Sequence, residues 1–326
     1  MKITKRCKEG LKILTGLMAM SCVGLVHAGG GQNYPNGAES FMSGAAPPPG
    51  FYFLDYGYYY QADKMKDDKG HSISAFDDVR VIANVFRFLW MSNQTLFGAS
   101  YGQHLFIPVL NTDLNFNAPV GPRASKGYDD SGVPYLIYNP MILAWHLMEG
   151  SLHVVASPAD IYIPTGQENG NMASVGKNIW TFEPVLALTY LNNGWEFSGK
   201  FMYDFNTTQD KYATVYGLNV DREPGQEFHF DYSVSYGVTP NLRLGLSGYY
   251  YTQITDDSYD KNAGMPAPVR DLLKADEGQH SRVFAVGPGI WYNQKNMFFE
   301  LRSQFEMDAR NKTEGQNVWL KFTYAF

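Results

Sequence analysis

The sequence predicts an all-β fold, a transmembrane antiparallel up-and-down β-barrel of about twelve strands. Three observations predict it. Apolar and polar residues alternate with period two along twelve stretches, and the links between those stretches are by turns short and long. Beyond the first residues the chain holds no apolar run near the ~20 residues a spanning helix needs. The third observation is composition: 23 Tyr and 21 Phe sit in a chain that is only 44% hydrophobic. That balance suits a barrel, in which only alternate residues of a strand face lipid.

The chain opens with Lys2, Lys5, Arg6, Lys8 and Lys12, then an apolar run over 13–26, then Val26-His27-Ala28 with small residues at the two positions a signal peptidase reads. Residues 1–28 are therefore expected to be a cleaved export signal. Both cysteines, Cys7 and Cys22, lie in it, so no disulfide framework or thiolate metal site is expected afterwards. Ala19-Met20-Ser21-Cys22 raises a lipoprotein alternative, but it is a poor lipobox. Removing five basic residues and one acidic residue from totals of 26 and 32 leaves 21 against 31, a net charge of −10. Nucleic acid is an improbable partner for such a chain. Residues 29–50 are dense in Gly and Pro and carry no period, so they read as an irregular segment, either a periplasmic tail or a plug in the lumen.

The barrel is expected over 51–326. Its strands are predicted at 51–62, 78–91, 96–110, 133–147, 151–163, 179–191, 195–206, 227–238, 242–255, 282–292, 297–308 and 316–326. After every even-numbered strand the link is short: 92–95, 148–150, 192–194, 239–241 and 293–296, all of tight-turn composition. After odd-numbered strands the links are mostly long and polar, as at 111–132, 164–178, 207–226 and 256–281, with 309–315 the shortest. This asymmetry is expected of short periplasmic turns and long external loops. Within the seventh strand Trp195, Phe197, Phe201, Tyr203 and Phe205 share one face, while Glu196, Ser198, Lys200, Asp204 and Asn206 share the other. The eighth strand repeats the pattern, with Phe228 to Val238 set against His229, Asp231, Ser233 and Ser235; the eleventh sets Phe299, Leu301, Phe305 and Met307 against Glu300, Arg302, Gln304 and Glu306. Burying the second row in a dry core would cost several kcal/mol per unpaired charge, whereas a wet lumen tolerates it. Tyr190, Trp195, Tyr236 and Tyr292 lie near short turns and fit an aromatic girdle. Strands two to five alternate less cleanly.

The last strand places Val318, Leu320, Phe322, Tyr324 and Phe326 on one face and Trp319, Lys321, Thr323 and Ala325 on the other. It resembles the C-terminal strand that barrel assembly machinery recognises in bacterial outer-membrane proteins, with Phe322, Tyr324 and Phe326 as the signal. A wider resemblance rests on Tyr34–Tyr52 (Y-P-N-G-A-E-S-F-M-S-G-A-A-P-P-P-G-F-Y), Ile161–Gly166 (I-Y-I-P-T-G), Asn178–Pro184 (N-I-W-T-F-E-P), Gly248–Asp257 (G-Y-Y-Y-T-Q-I-T-D-D) and Phe284–Ile290 (F-A-V-G-P-G-I). Together these are similar to the outer-membrane family labelled as a component of the meta-pathway of phenol degradation. The resemblance implies a barrel in the outer membrane of a Gram-negative bacterium, associated with uptake of aromatic or other hydrophobic compounds. It implies no catalytic residue set.

Passive uptake of a small hydrophobic or aromatic solute is the leading expectation, because twelve strands enclose a bore wider than ~8 and narrower than ~16. The lumen candidates are Glu183, Glu196, Lys200, Asp204, Asp231, Arg243, Glu300, Arg302, Glu306 and Lys321, which serve either in permeation or as an ion-paired network. Tyr249, Tyr251 and Trp319 could provide stacking steps. Tyr34, Pro35, Asn36, Gly37, Glu39, Phe41 and Met42 form a gate if the N-terminal segment enters the lumen. A structural or surface-interaction protein is the alternative, and a lumen hydrolase built on His229, Asp231, Ser233 and Ser235 is a weaker one. Their spacing of roughly 7 Å along a strand exceeds hydrogen-bond reach. No enzyme activity, cofactor or metal site is expected: the seven histidines are scattered, and Asp256, Asp257 and Asp260 give only a weak calcium motif. The expected partners are outer-membrane lipid and lipopolysaccharide, the assembly machinery and the solute. A closed barrel has no edge strands and is expected to be a monomer.

Overall fold

A computed structural model describes residues 33–262 and 265–326. The expected export signal, residues 1–28 with Cys7 and Cys22, lies outside the described residues. Sixteen strands are described: β1 (Gly50–Lys66), β2 (Phe76–Leu96), β3 (Ala99–Val120), β4 (Ser125–Gly132), β5 (Tyr135–Leu147), β6 (Leu152–Pro164), β7 (Thr181–Asn192), β8 (Trp195–Asn206), β9 (Gln209–Ala213), β10 (Asn219–Glu223), β11 (Glu227–Thr239), β12 (Leu242–Gln253), β13 (Ser258–Tyr259), β14 (Arg282–Gln294), β15 (Met297–Arg310) and β16 (Lys312–Ala325). One helix, α1 (Ala267–Glu277), joins them.

Twelve of these strands close a barrel in which each pairs antiparallel with its neighbours in sequence. The seam is β1 against β16, paired from Tyr52 opposite Ala325 to Lys66 opposite Lys312 with one register shift between Ala62 and Lys64. Closure leaves the twelve barrel strands without a free edge. Large apolar side chains cover the outside, among them Phe51, Ile82, Phe182, Phe197, Leu246, Leu301 and Leu320, each more than a third exposed. So extensive an apolar surface is foreign to a monomer in water and suits lipid contact. No described helix is long and apolar enough to cross a membrane, which says nothing about strands. Trp195 and Tyr236 pack with ring centroids 5.2 Å apart beside the short turn Asn193–Gly194. Both turn residues have positive φ, 49° and 83°, as a type I′ hairpin requires.

Several predicted boundaries are corrected. The first short turn is not 92–95: β2 continues to Leu96, paired with Ala99, and the chain reverses at Phe97–Gly98, whose φ values of 54° and 73° again fit a type I′ turn. The segment 111–132 is not an open loop. There β3 runs on beyond the barrel and returns as β4, with Leu114 opposite Tyr128. The link 309–315 shrinks to Asn311, at φ 44°, so short and long links do not alternate to the end. The segment 207–226 holds the β9–β10 hairpin, and 256–281 holds β13 and α1; β13 joins β10 in a small separate sheet at the long-loop end.

The inner wall has two characters. Strands β8, β11, β15 and β16 present mostly polar residues inward, whereas much of the inner face of β2, β5 and β7 is apolar: Val85, Leu89, Met91, Ile142, Ala144 and Val185 form a buried cluster with Leu54 and Met202. This apolar half explains why strands two to five alternate poorly in sequence. Their inner residues are as hydrophobic as their outer ones.

Candidate functional site

The polar half of the wall holds the N-terminal segment inside the barrel. Residues 33–49 thread the lumen, and three of their main-chain amides are given to buried carboxylates of the wall. Asp231 accepts Tyr34 Oη at 2.6 Å, Gly37 N at 2.8 Å and Glu39 N at 3.0 Å. Glu196 accepts Met42 N at 3.0 Å, and Thr189 Oγ1 accepts Gly44 N at 2.9 Å. Arg302 donates to Ser40 Oγ at 2.6 Å and to Ala38 O at 2.8 Å. Gly37 sits at φ +82°, and a Cβ there would lie 2.1 Å from Gln304 Oε1. Only glycine fits such a left-handed, crowded position.

Glu39 carries the electrostatic centre. Its carboxylate accepts Tyr56 Oη at 2.6 Å, Arg87 Nη1 at 2.7 Å and Lys321 Nζ at 2.8 Å. The network continues from Lys321 to Glu300 at 3.2 Å and from Glu300 to Arg302 at 3.2 Å. Buried charges linked and hydrogen-bonded in this way resist loss of any one member. Phe41, 2% exposed, lies against Gly289, where a Cβ would meet its ring at 2.7 Å. Asn36 is buried and Pro35 is half-buried beside it.

This segment divides the lumen. At the short-turn end a cavity of about 360 Å³ is lined on one side by Leu54, Leu89, Met91, Ile142, Val155 and Val185, and on the other by Phe41, Met42, Lys200 and Lys321. At the long-loop end a cavity of about 370 Å³ is lined by Tyr58, Tyr60, Val81, Lys177, Tyr249, Glu306 and Trp319. Between them only about 30 Å³ remains, among Tyr34, Pro35, Glu39, Tyr56, Phe106, Tyr162 and Trp319. Outside the membrane-spanning strands, burial pulls the Lys177 ammonium down to about 8.

Every lumen candidate except Arg243 is deep in the barrel. Glu306 accepts Tyr249 Oη at 2.6 Å and Tyr60 Oη at 2.8 Å, and Tyr251 donates to Glu227 at 2.8 Å. Lys200 lies over the Tyr34 ring at 4.7 Å. Arg243 sits at the short-turn mouth, where it donates to Ser235 Oγ and Gly194 O. Of the assembly candidates, Phe322 and Tyr324 face outward and half-buried near the short-turn end, and Phe326, 82% exposed, donates its N–H to Phe51 O. The hydrolase constellation does not assemble: Ser233 and Ser235 both donate to Glu196, and Asp231 is committed to the N-terminal segment. The expectation of scattered histidines is corrected. His229 meets Glu183 and Asp204, and His146 meets His153 at 2.6 Å between ring nitrogens. Sequence reasoning missed Arg87, Tyr56, His104 and Asp160, which lie on strands where inner and outer faces are alike.

The family described as "Putative MetA-pathway of phenol degradation" matches residues 62–322. The fold is similar to that of the COG4313 outer membrane channel from Pseudomonas putida F1, with a TM-score of 0.68 at 17% identity over 86% of this chain and 97% of that one. A monoaromatic hydrocarbon channel, the TodX ΔS2S3 mutant, aligns over 90% and 93% of the two chains at 9% identity and a TM-score of 0.47. A Pseudomonas aeruginosa FadL homologue aligns over 94% and 98% at 10% and 0.41. No curated protein matches the chain significantly.

Proposed function

Because this chain belongs to the family described as "Putative MetA-pathway of phenol degradation", we propose that it is an outer-membrane channel of a Gram-negative bacterium for passive uptake of small hydrophobic or aromatic compounds. The observation that carries this reading is the two-sided lumen. A cavity walled by Leu54, Leu89, Met91, Ile142, Val155 and Val185 removes apolar solute surface from water, at about 25 cal/mol per Å². The long-loop cavity offers Tyr58, Tyr60, Tyr249 and Trp319 as stacking surfaces for an aromatic ring. The charges around Glu39 are paired, with Arg87 and Lys321 on Glu39 and Arg302 and Lys321 on Glu300, which weakens any preference there for an ionic solute. The apolar outer belt and the likeness of the fold to an outer membrane channel support the location.

Residues 33–49 form the gate. Their anchors are hydrogen bonds and ion pairs, which exchange with water, and the narrow passage beside them is lined by their own Tyr34, Pro35 and Glu39. Passage from one cavity to the other requires this segment to shift. Blockade of ionic current in planar bilayers tests the reading. Phenol-like solutes at millimolar concentration should reduce the current by occupying the lumen, and maltose should not. Blockade by maltose with indifference to phenol would overturn it.

A further inference from the structure

A line of carboxylates crosses the inner wall. Asp160 on β6 stands opposite Glu183 on β7, the register of β7 with β8 sets Glu183 opposite Asp204, and Asp204 stands opposite Glu227 on β11. Like charges directly opposite one another on neighbouring strands repel. The outer two are answered by ordinary partners: Asp160 meets His104 Nε2 at 3.1 Å and accepts Asn139 Nδ2, and Glu227 accepts Tyr251 Oη. The inner two, Glu183 and Asp204, converge on one imidazole, that of His229.

His229 Nε2 lies 3.4 Å from Asp204 Oδ2 and 3.5 Å from Glu183 Oε2, and all three side chains are at most 1% exposed. A charged N–H to carboxylate hydrogen bond would be ~2.7–2.9 Å. Ligands held ~2.1 Å from a tetrahedral ion stand ~3.4 Å apart, since the tetrahedron's edge is about 1.6 times its radius. The observed separations match the second figure. Both ring nitrogens of His229, Glu183 Oε1 and Asp204 Oδ1 make no hydrogen bond among the described residues, so four buried polar atoms of the cluster are left unsatisfied. Tyr162 Oη donates to Glu183 Oε2 at 2.8 Å, an outer partner of the kind that orients a ligating carboxylate.

We infer that Glu183, Asp204 and His229 form a binding site for a divalent transition-metal cation of the zinc class. With the ion bound, two carboxylates and a neutral imidazole contribute a charge of minus two, which the ion cancels, and a mixed N/O set without thiolate suits zinc or manganese. Glu183 Oε1 and Asp204 Oδ1 are available to complete the coordination shell. The ion ties β7, β8 and β11 together from within. It does so beneath the N-terminal segment, since the Tyr34 ring packs on His229 with centroids 4.9 Å apart.

The test uses the folded, untagged barrel in detergent, stripped with chelator and titrated with zinc alone, with bound metal counted by mass spectrometry. One tightly held zinc per barrel is expected. Its affinity should fall at least tenfold in H229Q and in D204N and stay unchanged in the double variant H146Q/H153Q, which removes the histidine pair at the short-turn mouth. X-ray absorption of the loaded wild-type protein should show a nitrogen and oxygen shell with one imidazole, and this readout does not depend on any variant folding. Heat-modifiable migration confirms that the variants are barrels. A folded wild-type barrel that binds no stoichiometric zinc, undiminished binding in H229Q and D204N, or loss confined to H146Q/H153Q would each overturn the assignment.

Discussion

Replacing Glu39 by Gln should release the N-terminal segment. The carboxylate accepts Tyr56, Arg87 and Lys321 at 2.6, 2.7 and 2.8 Å, and all four groups are buried or nearly so. Breaking a buried ion pair by neutralising one partner costs about 3–5 kcal/mol. The low end applies, because Lys321 keeps Glu300 at 3.2 Å and Arg87 keeps His104 Nδ1 at 2.9 Å. A loss of about 3 kcal/mol corresponds to about a 150-fold larger undocked population at equilibrium. In planar bilayers E39Q should therefore spend far more time at the conductance level that deletion of residues 33–49 makes permanent. The double variant E39Q/R87Q should recover part of the loss, since the stranded guanidinium is gone. Wild-type conductance and open time in E39Q, with a clear increase on deletion, would refute the view that this carboxylate holds the segment.

Gly37→Ala should loosen the same segment through the backbone. A left-handed non-glycine residue costs roughly 1–2 kcal/mol, and the added Cβ would collide with Gln304, so protease should cut within 33–49 faster than in wild type. In α1, burial raises the Asp276 carboxyl to about 7 from an ordinary value of 3.8, and Tyr216 Oη donates to it at 3.0 Å. A raised acid pKa means that the docked helix binds the proton more tightly than the undocked one. Its stability is therefore greatest below the ordinary carboxyl range, falls as pH rises toward about 7 and is flat beyond. Amide protection factors across α1, corrected for the pH dependence of intrinsic exchange, should be higher at pH 4.5 than at pH 7.5, and D276N should flatten the difference.

Where inner and outer faces differ in polarity, the sequence is enough to assign them. Trp195 to Asn206 reads as a lipid face against a lumen face, and the structure buries Glu196, Ser198, Lys200 and Asp204 while exposing Trp195, Phe197 and Phe205. Leu89 and Met91 offer no such contrast, because they line an apolar part of the lumen and look like lipid-facing residues. Arg87, between Phe86 and Phe88, is hidden by the same ambiguity. Prolines add to it: the β5–β6 ladder is interrupted between Tyr138–Ile161 and Leu143–Ala156, around Pro140 and Pro158, so strict alternation lapses there. The seating of the N-terminal segment has no local signal. Three of its anchors are amides given to Asp231 and Glu196, more than 150 residues away, and an amide carries no side-chain pattern. The Glu183, Asp204 and His229 cluster is likewise invisible along one strand, because each member comes from a different strand.

The most direct test of a channel for small hydrophobic compounds is flux through the purified barrel in proteoliposomes, with labelled phenol and labelled maltose measured in the same vesicles. Phenol entry should exceed that of protein-free vesicles and fall when Leu89 and Val185 in the apolar wall are both replaced by Asp, with maltose entry at background throughout. Maltose entry above background, or phenol entry indifferent to both the protein and those substitutions, would contradict the account.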